Sequence, residues 1–171
     1  MLATTPVVEL VTDRVAGLDC PAVVDPVMVA ASGDRLLEPQ AEDAYAGLVA
    51  ESTLVAPNVD EAEVLTGREV TDPESAAAAG EDLVDIGADA ALVKGGHLEG
   101  EDVVDVLVTG DTVETLRHAR VDTAATHGSG CTPSSAAATR LAHGDAPATA
   151  VRERVDLLAR AVRYTLAVGA G

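Results

Sequence analysis

Aromatic side chains are nearly missing from this chain. Its 171 residues include no Phe, no Trp and only two Tyr, Tyr45 and Tyr164. That scarcity excludes nucleic-acid binding by base stacking, which needs aromatic platforms. Basic residues are also scarce: 11 Lys and Arg stand against 29 Asp and Glu, for a formal charge of −18. Such a balance excludes phosphate backbones as partners of the whole surface, and it excludes a polybasic membrane foot. Lysine is reduced to a single residue, Lys94. Only two cysteines occur, Cys20 and Cys131, far apart in sequence. The opening segment MLATTPVVELV lacks the basic start and long apolar core of a secretory signal. No apolar run approaches the ~18 residues of a membrane span. These features predict reduced thiols and a cytoplasmic protein.

What is present is aliphatic. Hydrophobic residues make up 47% of the chain, almost all Ala, Val and Leu, enough for the core of one domain. The acidic excess reads in two ways: a solvated surface that aids solubility, or adaptation to a halophilic cytoplasm in which salt screens self-repulsion.

Thr5-Pro6 reads as a helix start, with Val7, Leu10, Val11, Val15 and Leu18 recurring at roughly helical spacing. Short apolar runs at 22–27, 52–58 and 89–96 read as buried strands closed by proline or glycine turns. Between them lie a glycine loop at 32–37 and helices predicted at 40–51, 58–66 and 74–86. Two alternating runs flank Gly110-Asp111 as an antiparallel hairpin. Helices near 131–143 and 147–167 close the chain. Strands alternating with helices predict a three-layer α/β/α fold around a mostly parallel sheet. Function in such sheets gathers beyond the carboxyl ends of the strands. Asp25, Asn58 and Lys94 fall there.

The strongest local signal is THGSGCTPSSAAA, residues 126–138. A glycine-rich turn feeds an alanine-rich helix, so converging N–H groups and the helix dipole make an anion site. Cys131 sits in that turn, where a thiol is acidified and can take a proton from an attacking hydroxyl. The plainer reading is a glycine-rich helix start with a small buried cysteine. Lys94 precedes Gly95-Gly96-His97 and suits a nucleotide phosphate as a point charge, or is an ordinary solvated lysine. Asn58 and Glu61 form N-x-x-E at a helix start. They suit a water-rich Mg²⁺ site, or simply a capping box. Asp25 before Pro26 is a further acidic candidate, or a turn initiator. His97 and His127 flank the glycine turns, and no Cys/His spacing supports zinc.

VVDPVMVAASGDRLL, APNVDEAEVLTG, ALVKGGH and THGSGCT, in that order, resemble the hydroxymethylpyrimidine/phosphomethylpyrimidine kinases of thiamine biosynthesis, members of the ribokinase-like superfamily. The resemblance runs from Met1 to Gly171. It implies the ribokinase-like fold, ATP and Mg²⁺ as cofactors, and phosphorylation of 4-amino-5-hydroxymethyl-2-methylpyrimidine and then its monophosphate. Cys131 would be the base acting on the hydroxymethyl oxygen. Gly128, Ser129, Gly130 and Cys131 would offer backbone N–H groups to the transferred phosphoryl. Lys94 would bind ATP phosphates. Glu61, with Asn58 and Asp25, would place Mg²⁺ through water. Met1 and Val27 match positions that touch the pyrimidine. Related sugar and pyridoxal kinases usually carry Asp at the place of Cys131, which points away from a vitamin B6-type kinase, the alternative within the class.

The chain departs from the family's pattern at several points. Ser129 replaces the usual Thr and keeps its hydroxyl. Pro133 replaces an aliphatic residue in the first helical turn, where Pro is tolerated. Met1-Leu2 matches the end of a K-x-G-M-L motif that lies well inside the family's domain. The family's amino-terminal part, with its glycine-rich substrate loop, has no counterpart. Residues 1–171 are thus expected to be a single incomplete kinase domain, the ATP and phosphoryl-transfer portion. A full domain would favour a homo-oligomer. The contrasting expectation is a non-catalytic remnant that binds nucleotide or pairs with another chain.

Overall fold

The computed structural model describes residues 2–28, 36–97, 102–110, 112–119 and 131–153. Helix α1 (Thr5–Val15) has Pro6 in its first turn, where a missing N–H costs nothing. Its buried stripe is Val8 with Val11 and Val15 packed beside it, whereas Val7, Leu10 and Leu18 are exposed. The helical spacing of the sequence is correct, but the buried face is rotated from the one expected, because Val8 meets the sheet-covering helices. Strand β1 (Val23–Val24), a 3₁₀ turn at Pro39–Ala41, and α2 (Glu42–Ala50) follow. Then come β2 (Leu54–Val55), α3 (Val59–Thr66), α4 (Pro73–Ile86) and β3 (Ala90–Val93). A 3₁₀ turn at Gly95–His97 leads toward the hairpin of β4 (Asp102–Thr109) and β5 (Thr112–Ala119). Helix α5 (Cys131–Ala142) precedes a helical stretch at 147–153.

The sheet order is β1-β2-β3-β4-β5. The first three strands are parallel, and β3-β4 and β4-β5 are antiparallel. The hairpin therefore extends the parallel sheet directly, and the described sheet is mixed. The first two strands are shorter than their apolar runs. Pro26 and Pro57 have no N–H for a ladder, so regular pairing stops ahead of them. Pairing resumes past Pro57, where the Lys94 N–H donates to the Pro57 carbonyl at 2.8 Å and Asn58 bridges Lys94.

Period-two alternation sorts the sheet's side chains into two cores. Leu54, Ala56, Ala90, Leu92 and Leu107 face Ala137 and Leu141 of α5, with Ala150 and Val151. On the other face, Val55 and Ala91 pack with Val8, Tyr45, Leu48 and Val49, while Val93, Val106 and Val108 meet α3 and α4. The result is the expected α/β/α sandwich. Among the described residues, no helix is long and apolar enough to cross a membrane.

Gly80 sets the approach of α4 to this sheet. A Cβ there would stand 2.6 Å from Cγ2 of Val108. Gly80→Ala gains about 1 kcal/mol of helix propensity but overpacks the site at a cost of about 1–3 kcal/mol. We expect a net loss of stability, read as a lower midpoint in urea unfolding. A raised midpoint would show that α4 can move off the sheet without penalty.

Candidate active site

Three strand ends meet at one place, and α5 closes it. Asp25 follows β1, Asn58 follows β2 and Lys94 follows β3. The Lys94 ammonium lies 2.8 Å from Asp25 Oδ1, with the two side chains only 17% and 15% exposed. The other carboxylate oxygen, Oδ2, accepts from Ser134 Oγ at 2.9 Å. Asp25 thus ties together the ends of β1 and β3 and the first turn of α5.

Beside this pair, Asn58 and Glu61 form a reciprocal capping box at the start of α3. The Glu61 N–H donates to Asn58 Oδ1, and the Asn58 N–H donates to Glu61 Oε2, both at 2.8 Å. The capping reading of N-x-x-E is therefore correct as geometry, yet it does not exhaust the site. Glu61 is a buried carboxylate, 4% exposed. Burial pushes its pKa above the usual value of 4.5. The Asn58 N–H, the Lys94 charge and the Met28 N–H pull the other way, while Asp25 adds to the rise. Tyr45 is buried on α2 and feels the same charges: its phenol is raised by burial first, then by Glu61 and Asp25.

Glu61 holds its proton more tightly when folded than when unfolded, so its stabilising contribution is full below about pH 4.5 and is lost as pH rises through its folded pKa. Gln at this position keeps the capping acceptor but does not titrate. We expect Glu61→Gln to gain stability relative to the parent chain as pH rises from 4 to 7. Paired urea melts across that range check it. A constant difference would mean that the carboxylate is fully compensated.

The oxygen-only donors and the excess of two carboxylates over one ammonium suit a hard, hydrated divalent cation. Direct ligation is less well served. Both Asp25 oxygens and Glu61 Oε2 already accept hydrogen bonds, and among the described residues no group of three His, Cys, Asp or Glu gathers to hold a metal. The set fits an ion held through water.

The expected site residues fall into two groups. Asp25, Asn58, Glu61 and Lys94 come together as described. Val27 is half-buried next to them, its N–H donating to the Asp25 carbonyl at 2.9 Å in the turn around Pro26. Met1, Gly128, Ser129, Gly130 and His127 lie outside the described residues. Cys131 is the first residue of α5, and its side chain also lies outside them, as does that of His97. Cys20 is an exposed free thiol.

Residues 1–171 match the phosphomethylpyrimidine kinase family throughout. The chain belongs to that family. It is 41% identical to the hydroxymethylpyrimidine/phosphomethylpyrimidine kinase of Streptomyces coelicolor, over 100% of this chain and 64% of the relative. The chain thus spans less than two thirds of that relative's length. Among solved structures, the ADP complex of Bacillus subtilis pyridoxal kinase superposes with a TM-score of 0.88 at 31% identity, covering 99% of this chain and 65% of that one. The phosphomethylpyrimidine kinase of Clostridium difficile gives 0.81 at 29% identity, covering 95% and 66%. The ribokinase-like fold implied by the sequence motifs is therefore present.

Two residues of this cluster, Ser134 on Asp25 and Tyr45 near Glu61 and Asp25, were not singled out by the motifs. Ser134 had a readable signal: it stands three residues after Cys131, on the same side of one helical turn. Tyr45 had none, since its residue type and helical position match any core tyrosine.

Proposed function

We propose that this chain carries the nucleotide-handling and phosphoryl-transfer part of a kinase acting on 4-amino-5-hydroxymethyl-2-methylpyrimidine and then on its monophosphate. The observation that carries this reading is the Lys94–Asp25 pair at the carboxyl ends of parallel strands, joined through Ser134 to the helix that Cys131 opens. The family's printed activity and the ADP complex of a structural relative support it. In the reaction, the substrate hydroxyl attacks the γ-phosphorus of ATP in line. The new O–P bond forms as the bond to ADP breaks, and Cys131 accepts the hydroxyl proton. Backbone N–H groups of Gly128 to Cys131 receive the charge of the transferred phosphoryl. Lys94 has three donors, so it can keep Asp25 and still reach a phosphate oxygen. Val27 and Met1 contribute to the pyrimidine pocket.

Mg²⁺, when bound through water at Asp25, Glu61 and Asn58, would neutralise phosphate charge. It should also stabilise the chain by about 2.7 kcal/mol at a hundredfold excess over its Kd, and Glu61→Gln should lose most of that gain in a thermal melt.

A pyridoxal-type kinase is the second reading, favoured by the Bacillus subtilis structure. Transfer of labelled γ-phosphate to hydroxymethylpyrimidine and to pyridoxal, run side by side, separates the two. Transfer to pyridoxal alone would overturn the first reading. A chain that binds an ATP analogue but transfers to neither is the non-catalytic remnant.

We further read the chain as part of a cytoplasmic protein of a high-salt interior that forms a homo-oligomer when the full domain is present. The −18 charge supports the first part. Among the described strands, β1 stands at a sheet edge, and an open edge favours association. Stability should rise steeply from dilute buffer to molar KCl as self-repulsion is screened. Circular dichroism across a KCl titration checks it, and a flat response removes the halophilic reading.

A further inference from the structure

We propose that Asp105 is a positioning residue for the site: its carboxylate pins the glycine turn behind Lys94, and His118 supports that carboxylate from the next strand. The inference rests on the reading of Lys94 as the nucleotide-phosphate lysine.

Asp105 interrupts an otherwise aliphatic strand, with Val103, Val104, Val106 and Leu107 around it. It is 3% exposed. Alternation puts it on the same sheet face as Leu107, which packs in the core beneath α5. Packing there gives no reason for a carboxylate, and burying one is costly unless it is well hydrogen-bonded.

Its partners supply the reason. Oδ1 accepts the Gly95 N–H at 2.9 Å. Oδ2 faces His118 Nε2 at 3.5 Å. His118 pairs with Val103 across the hairpin and Asp105 pairs with Leu116, so the two side chains are diagonal neighbours on one face. The last ladder pair between β3 and β4 is Val93 with Val106. Two residues further, β3 has given way to the turn at Gly95–His97, and a side-chain oxygen accepts the Gly95 N–H in place of a ladder carbonyl.

Lys94 is therefore fixed on both sides. Its own N–H is held by Pro57 at 2.8 Å, and the peptide N–H that follows it is held by Asp105. A lysine stem has a limited reach and does not fix its own ammonium, so the placement of its Cα and the turn behind it sets the region the ammonium can occupy. Glycine residues at 95 and 96 would otherwise leave that turn loose.

The test uses the 171-residue chain with Asp105→Ala, Asp105→Asn, His118→Ala and Lys94→Ala. Asn retains a carbonyl oxygen for the Gly95 N–H. Two quantities are measured: hydrogen exchange at the Gly95 amide by NMR, with Val106 as the core reference, and the Kd of AMP-PCP by calorimetry. Loss of one buried hydrogen bond corresponds to about a tenfold effect. Asp105→Ala should therefore speed Gly95 exchange and weaken AMP-PCP by about that factor while Val106 stays protected. Asp105→Asn should restore both, and His118→Ala should speed Gly95 exchange more mildly. Unchanged Gly95 exchange in the Ala and His118→Ala chains, or equal losses in Asp105→Asn and Asp105→Ala, overturns the proposal. If Lys94→Ala weakens AMP-PCP and Asp105→Ala does not, the positioning role alone fails. If Lys94→Ala leaves the Kd unchanged, the nucleotide reading of Lys94 fails and takes the positioning role with it.

Discussion

Cys131→Ala should lower kcat by about 10² to 10⁴, the usual weight of a general base. Cys131 opens a twelve-residue helix directly after Gly128-Ser129-Gly130. A helix start favours negative charge in general, which suits both the thiolate, the form of a cysteine that can take a proton, and a phosphoryl group cradled by backbone N–H groups. The two proposed roles separate by mutation, because the proposed cradle is backbone and the proposed base is a side chain. Alanine should therefore spare AMP-PCP affinity while turnover falls. Aspartate should retain part of the activity, since a carboxylate can also take the proton. Turnover is read in this chain joined to the part of the Streptomyces coelicolor relative that the alignment leaves uncovered, with hydroxymethylpyrimidine as acceptor. Wild-type kcat in the Ala variant would make Cys131 a small packing residue and return the proton to another group or to water.

The motifs were legible because they mark places where the backbone does something unusual. Proline after Asp25, proline before Asn58 and paired glycines after Lys94 each announce a strand end, and strand ends are where this architecture concentrates function. Helix α3 was legible from its Asn58–Glu61 cap. The structure adds a capping box of Asp72 and Ser75 at the start of α4, and Gly67 takes the left-handed conformation, φ 69°, that ends α3. Less legible was which face of α1 is buried. Val7 and Val8 are adjacent and chemically identical, so periodicity alone did not select between them, and the helix is oriented by its packing against α2.

Pairings between distant residues were not legible at all. Lys94 and Asp25 are 69 positions apart, and Ser134 is 109 positions from Asp25. Each was identifiable as a candidate by type and turn, but their meeting depends on sheet order. Asp105 shows the same limit from the other side. In sequence it is one polar residue in an alternating hairpin strand, and such residues usually face solvent. Only the register of β4 on β3 turns it inward toward Gly95.

Lys94→Ala should have two separable consequences, one for folding and one for ligand. The ammonium is a positive charge that the site's buried Glu61 feels, and it contacts Asp25 directly at low exposure. Removing one partner of such a pair leaves the other charge uncompensated, at a cost of about 3 kcal/mol. Loss of a charge-assisted bond to a phosphate oxygen weakens binding by about 1.5–3 kcal/mol, roughly 10- to 150-fold in Kd. A single variant mixes these effects, because a loosened site also binds poorly. The double variant Lys94→Met with Asp25→Asn removes both charges and leaves an amide to accept from Ser134. It should recover most of the lost stability, since exchanging a whole buried pair for neutral groups is often nearly neutral. It should not recover affinity for AMP-PCP. Urea melts and calorimetric titration of the three chains read the two quantities independently. Recovery of both in the double variant would make Lys94 a structural ion-pair partner and remove it from the nucleotide site.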